Sequence, residues 1–358
     1  NILDLGRSLL GIGILVAICY VLSSNRKAIQ WKLVVVSIAI QVGIAFLLIQ
    51  VPLVKYFFEY IVRFFSVMIR SSQESAQFLF GDLAKPGSAY GFAFLVLPTI
   101  IFFSALSSIL YYFGILQRVV YGFAWLMNRT LRLSGAESLA AAINVFIGQT
   151  EAPLVIKPYL ARMSRSEMLC LMTGGMATIA GSVFGAYMSM LGAGDEAQML
   201  YFGMHLLTAS IVSAPAAILA AKMLVPETET VDQNMEVPPS EAGQNFLDAL
   251  ARGTTDGLKL AVNVGAMLLA FMALVYLANI MLTQLGQVAG LNHWLSETSN
   301  GRYQEFNLQF ILGILFSPLA WVIGVEWGDV IAVGQLLGEK TILNEFVAYL
   351  SLADMKNS

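Results

Sequence analysis

Apolar runs of near-membrane length alternate with short polar turns along most of this 358-residue chain. Residues 8–22, 33–52, 91–116, 167–192, 198–224 and 255–284 are each dominated by aliphatic and aromatic side chains. A helix rising 1.5 Å per residue needs about 20 such residues to cross a ~30 Å hydrocarbon core, so these runs predict membrane-spanning helices, the first of them short. Residues 53–70 read differently. Tyr56, Phe57, Tyr60, Ile61, Phe64, Phe65 and Met68 recur at helical spacing with Lys55, Glu59, Arg63 and Arg70 among them, which predicts a helix lying in the outer interface. Gly81–Gly91, with Asp82, Lys85 and Pro86, predicts a loop, and 285–306 an outer loop. The aperiodic, Glu- and Pro-containing run Pro226–Gln244 predicts a cytoplasmic loop dividing the chain into halves.

One stretch breaks the apolar pattern. In 143–158 a polar island, Gly148-Gln149-Thr150-Glu151, stands between two apolar arms and is followed by Pro153, which removes a backbone donor and clashes with the preceding turn of a continuous helix. Arms of roughly 10–12 residues reach only about half of a ~30 Å core, which predicts a re-entrant hairpin with its polar tip near mid-membrane. Non-helical backbone at that depth is tolerated only inside protein or beside a watery cavity, and a carboxylate there marks a functional site.

Charge then gives the chain an orientation. Arg26, Lys27 and Lys32 follow the first span, Arg118, Arg129 and Arg132 precede the hairpin, and Lys157, Arg162 and Arg165 follow it. By the positive-inside rule these turns face the cytoplasm, the N-terminus lies outside, and the first hairpin opens inward. A second apolar segment, Phe306–Trp327, is interrupted by Ser317-Pro318, which predicts a second hairpin broken at Pro318 and a helix from about Asp329. Each hairpin precedes a helix with small or polar residues at mid-depth, Thr178-Ile179-Ala180-Gly181-Ser182 in one case and Asn344-Glu345 in the other. Opposite openings make an inverted repeat, the architecture of secondary transporters that bind substrate and ion at the midplane.

Composition narrows the class. The chain is 58% hydrophobic and only 12% charged, against about 25% charged in soluble domains, which places it among polytopic membrane proteins. A thinly spread net charge of −3 gives no reason to expect a nucleic-acid partner. Cys19 and Cys170 both sit in apolar runs as packing residues. His205 and His293 have no ligand-like neighbours, and no nucleophile–base or metal constellation is evident, so the chain is not expected to be an enzyme. The first apolar run lacks a basic start and an Ala-x-Ala exit, so no cleavable signal peptide is expected.

The residues themselves are familiar. Gly148-Gln149-Thr150-Glu151-Ala152-Pro153 and the stretch Gly338–Tyr349 (Gly-Glu-Lys-Thr-Ile-Leu-Asn-Glu-Phe-Val-Ala-Tyr) resemble the two signature stretches of the concentrative nucleoside transporters. So do Ser23-Ser24-Asn25-Arg26 and Gly324-Val325-Glu326-Trp327, and the similarity runs the length of the chain in the family's order. The resemblance implies an all-α polytopic membrane protein with two re-entrant helical hairpins, broken transmembrane helices, an interfacial helix and a trimeric scaffold. It implies secondary active transport in a bacterial inner membrane: cation-coupled symport, with sodium, of nucleosides such as uridine by alternating access. No cofactor is expected beyond sodium as coupling ion. The alternatives are proton coupling and a passive channel for small polar solutes.

The implied division places a scaffold part at 1–132, with three spans and the interfacial helix 53–70. A transport part at 133–224 contains the first hairpin, 136–165, and two spans. A cytoplasmic loop at 225–254 and a scaffold span with an outer loop at 255–305 come next, then the second hairpin and a broken helix at 306–358. Family members continue through a final helix whose Phe-Ala-Asn-Phe-type stretch contacts the ribose, and this sequence stops at Ser358 before it.

Site residues follow from the same resemblance. Gln149, Thr150 and Glu151 match the positions that hydrogen-bond the nucleobase, whose edge offers acceptors and a donor to an amide, a hydroxyl and a carboxylate. Val183 matches the apolar position beneath the base, Glu345 the carboxylate for the ribose hydroxyls, and Asn344 its neighbour. Asn144, Ile147, Thr178 and Ile179 match the sodium ligands, through the Asn144 side-chain oxygen, the Thr178 hydroxyl and backbone carbonyls of the two isoleucines. The implied partners are a nucleoside, a sodium ion, the lipid bilayer and two further copies of the chain in a homotrimer.

Overall fold

The structure is a computed structural model that describes residues 2–85, 92–146, 156–192, 194–232, 245–298 and 303–357. Among the described residues the regular structure is entirely helical. Four helices are long and apolar enough to cross a membrane, over Trp31–Leu48, Phe92–Tyr112, Glu196–Leu224 and Phe246–Val288, and shorter apolar helices occur at Gly6–Leu22, Val183–Gly192 and Leu308–Val322. This is a multi-pass membrane protein. The chain forms two compact units, residues 18–262 and residues 1–17 with 263–358.

In the first of these units α2 (Trp31–Gln50) leads into α3 (Pro52–Phe80). Pro52 opens α3 at a position where its missing N–H costs nothing. The stretch expected as the helix 53–70 is helical, but the helix runs to Phe80 rather than ending at 70. Its buried stripe, Val62, Ser66, Ile69, Ser72 and Ala76, passes from large apolar to small residues, and hydrophobicity alone does not see that change. Opposite this stripe, Leu53, Tyr56, Tyr60, Phe64, Val67 and Phe78 are exposed.

The expected span 91–116 also needs correction. It is made of a π-helical turn at 92–96 and α4 (Leu97–Tyr112), and it ends at Gly114, whose φ of +70° turns the chain into a separate helix, α5 (Ile115–Leu131). That helix buries Val120, Ala124, Met127 and Leu131. Its stripe packs on α6 (Gly135–Phe146), the first arm of the expected hairpin, and every residue of α6 from Gly135 to Val145 is buried. The return side begins with α7 (Lys157–Leu160). The tip, with Ile147, Gln149, Thr150 and Glu151, lies outside the described residues.

The expected span 167–192 is two helices, α8 (Arg165–Ala177) and α9 (Gly181–Gly192), separated at Thr178–Ala180. It is followed by α10 (Glu196–Leu224) and α11 (Phe246–Val288). The last of these starts inside the stretch expected as loop, 225–254. Asn245 Oδ1 accepts the Asp248 N–H at 3.0 Å and caps the start, and Gly253 and Gly257 bring α11 onto α4. A Cβ on either glycine would stand 2.8 Å from an α4 Cα, that of Ala105 or Ile101, the close approach that small residues permit between membrane helices.

In the other unit the expected outer loop 285–306 contains α12 (Leu291–Thr298). Asn292 organises this stretch, donating to the Thr283 carbonyl at 3.0 Å and accepting the Phe306 N–H at 2.9 Å. The second hairpin differs from expectation in where it turns. Pro318 does not break it: α13 (Leu308–Val322) continues through that proline. Proline strips the Ile314 carbonyl of its partner, and the Ser317 hydroxyl replaces it at 2.8 Å. The reversal falls instead at Gly324, φ +103°, before α14 (Val330–Ile342). Glycines let α13 and α14 approach closely, since a Cβ on Gly334 would lie 2.4 Å from the Gly313 carbonyl oxygen. Arg7 of α1 (Ile2–Leu22) donates to the Trp321 carbonyl at 3.3 Å, which also accepts the Gly324 N–H at 3.1 Å, and to the Val325 carbonyl beyond the end of α13. The chain closes with α15 (Glu345–Asn357).

Candidate functional site

Asn144 sits in the last turn of α6, on the arm that leads to the hairpin tip, and is 1% exposed. Its amide nitrogen donates to the Leu171 carbonyl of α8 at 3.2 Å. Its side-chain oxygen is buried without a hydrogen-bond partner among the described residues. Such an oxygen is costly to leave unsatisfied, and it is the donor a hard cation takes. Across from it Thr178 ends α8 in extended conformation, with φ −107° and ψ 155°. Its buried hydroxyl lies 2.8 Å from the Gly174 carbonyl oxygen and 3.2 Å from that of Asn144. Asn144 and Thr178 are therefore brought together by the crossing of α6 with α8.

The crossing depends on two glycines. A Cβ on Gly174 would meet Asn144 Nδ2 at 3.0 Å, and one on Gly181 would meet the Phe146 carbonyl oxygen at 2.4 Å. Ser210 of α10 fixes the gap between α8 and α9: its hydroxyl accepts the Ile179 N–H at 3.3 Å and lies 3.5 Å from the Ile179 carbonyl oxygen. Val183 is half-buried in the first turn of α9. An amide oxygen without a partner, a hydroxyl and backbone carbonyls at a helix break form a neutral oxygen donor set that fits sodium. Among the described residues no cluster of His, Cys, Asp or Glu is arranged to hold a metal ion.

Asn344 and Glu345 belong to the other unit. Asn344 is the N-cap of α15, its side-chain oxygen accepting the Val347 N–H at 2.9 Å, which leaves its amide N–H groups as donors. Glu345 is half-buried at the first position of that helix, where the positive end of the helix dipole favours a carboxylate.

The largest feature absent from the sequence reading lies at the base of the hairpin. Lys222, near the end of α10, pairs with Glu137 of α6 and with Glu227 at 3.2 Å, and donates to Ser166 Oγ at 3.0 Å. The segment after α10 then acts as a strap, bonding to the starts of both α6 and α8. Asp232 O accepts the Gly135 N–H at 2.9 Å, Glu227 accepts the Ser164 hydroxyl at 2.7 Å, and Val225 O accepts the Ser166 hydroxyl at 2.6 Å. Burial alone works against ionised Glu227, but bonds from Ser164 and the Glu229 N–H, with the Lys222 charge, outweigh it and hold its pKa below the ordinary carboxylate value. A cavity of about 230 Å³ lies beside this network, lined by Arg132, Glu137, Lys222 and Glu227 among others. The available signal was a pair of Ser-x-x-Glu motifs. Ser134 with Glu137 and Ser164 with Glu167 form capping boxes that start α6 and α8.

Comparisons with known proteins agree along the whole chain. Three family models match it: Na+ dependent nucleoside transporter N-terminus over residues 10–83, Nucleoside recognition over 93–194, and Na+ dependent nucleoside transporter C-terminus over 205–358. An uncharacterised transporter of Haemophilus influenzae is 43% identical, with 97% of this chain and 79% of that protein covered. The nucleoside permease NupC of Helicobacter pylori is 37% identical, with 96% and 79% covered. Among solved structures, CNTnw in an inward-facing substrate-bound state is 39% identical with a TM-score of 0.85, covering 98% of this chain and 79% of that one. A doubly substituted CNTnw in an outward-facing state is similar at a TM-score of 0.84 and 38% identity, with 99% and 80% covered.

Proposed function

Because the chain belongs to the concentrative nucleoside transporter family, whose members are transporters and not enzymes, we propose that it takes up nucleosides such as uridine with sodium, by alternating access. The observation that carries the sodium reading is the Asn144 side-chain oxygen, buried and without a partner among the described residues, near the end of α6. Sodium held there by Asn144, Thr178 and the carbonyls of Ile147 and Ile179 fixes the start of the tip. The tip then presents Gln149, Thr150 and Glu151 to the nucleobase above Val183, while Glu345, with the Asn344 amide, takes the ribose hydroxyls. Linkage requires that each ligand raise the affinity of the other by the same factor. The first hairpin and its inverted partner move within a homotrimeric scaffold in a bacterial inner membrane, the N-terminus outside.

The decisive measurement is accumulation of labelled uridine by proteoliposomes under an inward gradient of sodium, potassium or protons. Uphill accumulation with sodium alone is expected. Accumulation driven equally by protons overturns sodium coupling, and mere equilibration under every gradient overturns active transport.

A further inference from the structure

Glu339, on α14, is 1% exposed and takes no part in the site described above. Its Oε1 accepts a hydrogen bond from Gln335 Nε2, one turn earlier, at 2.9 Å. Among the described residues its Oε2 is buried with no hydrogen-bond partner, and Ser351 of α15 is a further polar neighbour. Gly338 beside it sits against Leu312 and Phe316 of α13. The elements packed on α14 are α13, α15 and the short turn 327–329. No titratable side chain occurs on α13, while the others carry Asp329, Glu345, Tyr349, Asp354 and Lys356, and α14 itself carries Lys340. Among the described residues the partners of Glu339 are Gln335 and Ser351, neither of them cationic.

A carboxylate this buried and without a positive partner is neutralised by binding something positive. We propose that Glu339, with Gln335 and Ser351, is a site for one monovalent cation, a sodium ion or a proton, distinct from the Asn144–Thr178 site. For sodium, the carboxylate, the Ser351 hydroxyl and the Gln335 amide oxygen (presented by a half-turn of the amide) supply hard oxygen donors. For a proton, Oε2 becomes the hydroxyl of a neutral acid, and the Gln335 bond to Oε1 is kept. The site sits one and a half turns before Glu345, so its occupancy sets the charge of the segment leading to that residue.

The test uses full-length protein purified in detergent. Melting temperature is followed against sodium at fixed pH, with choline holding ionic strength, and against pH in choline, because an ion that binds only the folded state raises it. Wild type, Asn144→Ala, Glu339→Gln and the double variant are compared. Asn144→Ala is expected to retain an ion response that adding Glu339→Gln removes, on the sodium axis for a sodium site and on the pH axis for a proton site. If Glu339→Gln leaves both responses of the Asn144→Ala background unchanged, the proposal is overturned; loss of the whole sodium response with Asn144→Ala alone overturns the sodium form of the site and leaves the pH axis to decide the proton form. Should Glu339→Gln fail to fold, Glu339→Asp keeps the charge but withdraws the carboxylate. It is expected to shift half-saturation of the surviving response at least tenfold, and an unshifted value overturns the site.

Discussion

Lys222 and Glu137 form an ion pair in which both side chains are almost wholly buried, at 8% and 1% exposure. The pair joins the end of α10 to the first turn of α6, and Glu227 adds a second carboxylate from the strap. Asn144 lies seven residues beyond Glu137, two turns along the same face of α6. The base of the hairpin and its candidate cation ligand are thus held by one short rigid helix.

Breaking this pair strands a buried charge. Lys222→Met leaves Glu137 buried without its cation and should destabilise the protein by about 3–5 kcal/mol, the usual cost of removing one partner of a buried ion pair. Glu137→Gln should cost less, because Glu227 still faces Lys222 at 3.2 Å, and the double variant should lose clearly less than the sum, because Glu137 is then not stranded. Thermal melting of the detergent-purified proteins measures both, and strictly additive losses would show that the pair is not energetically coupled.

Acid should loosen the strap through Glu227. Its folded pKa is held below the ordinary value of about 4.3, so the stability it contributes is fully present above that value and is lost as pH falls through the folded pKa. Wild type should melt above Glu227→Gln at neutral pH, and the gap should close as the pH is lowered through and below about 4. A gap that stays constant with pH contradicts the assignment.

Much of this molecule was legible because membrane physics is written in side-chain polarity. The long apolar runs and the amphipathic start of α3 emerged from it. Three features did not, each for a local reason. The stripe of α3 continues through Ser72 and Ala76, small residues that bury a face without being hydrophobic. Pro318 reads as a break, yet one Ser317 hydroxyl is enough to carry α13 through it. Lys222 reads as a cytoplasmic marker at the end of a span, because a buried pairing with Glu137, 85 residues earlier, leaves no local trace. On the site, the resemblance named Asn144 and Thr178 together, but the roles of Gly174 and Ser210 in aligning them appear only in three dimensions.

Asn144→Ala removes the unpartnered oxygen and should raise the sodium concentration for half-maximal uridine uptake by roughly ten- to a hundredfold, the worth of one bond to a charged group. Thr178→Val should act in the same direction. On the proposed coupling, in which the bound cation orders the tip, uridine affinity at fixed low sodium should fall in parallel. A sodium half-saturation unchanged in both variants would remove this site from the coupling mechanism.

Two glycine substitutions should have opposite signs. In Gly257→Ala the new Cβ stands 2.8 Å from the Ile101 Cα and 2.9 Å from the Ile101 carbonyl oxygen, both backbone atoms that cannot rotate away. The α4–α11 crossing has to open, at a cost of about 1–3 kcal/mol as for other overpacked contacts. A Cβ added to Gly122, in the middle of α5, would meet nothing within 4 Å, so Gly122→Ala loses only unfolded-chain freedom and should gain about 0.5–1 kcal/mol. Melting temperatures of the two variants therefore bracket wild type. If Gly257→Ala does not lower the melting temperature, close approach at Gly257 is not what sets the α4–α11 distance.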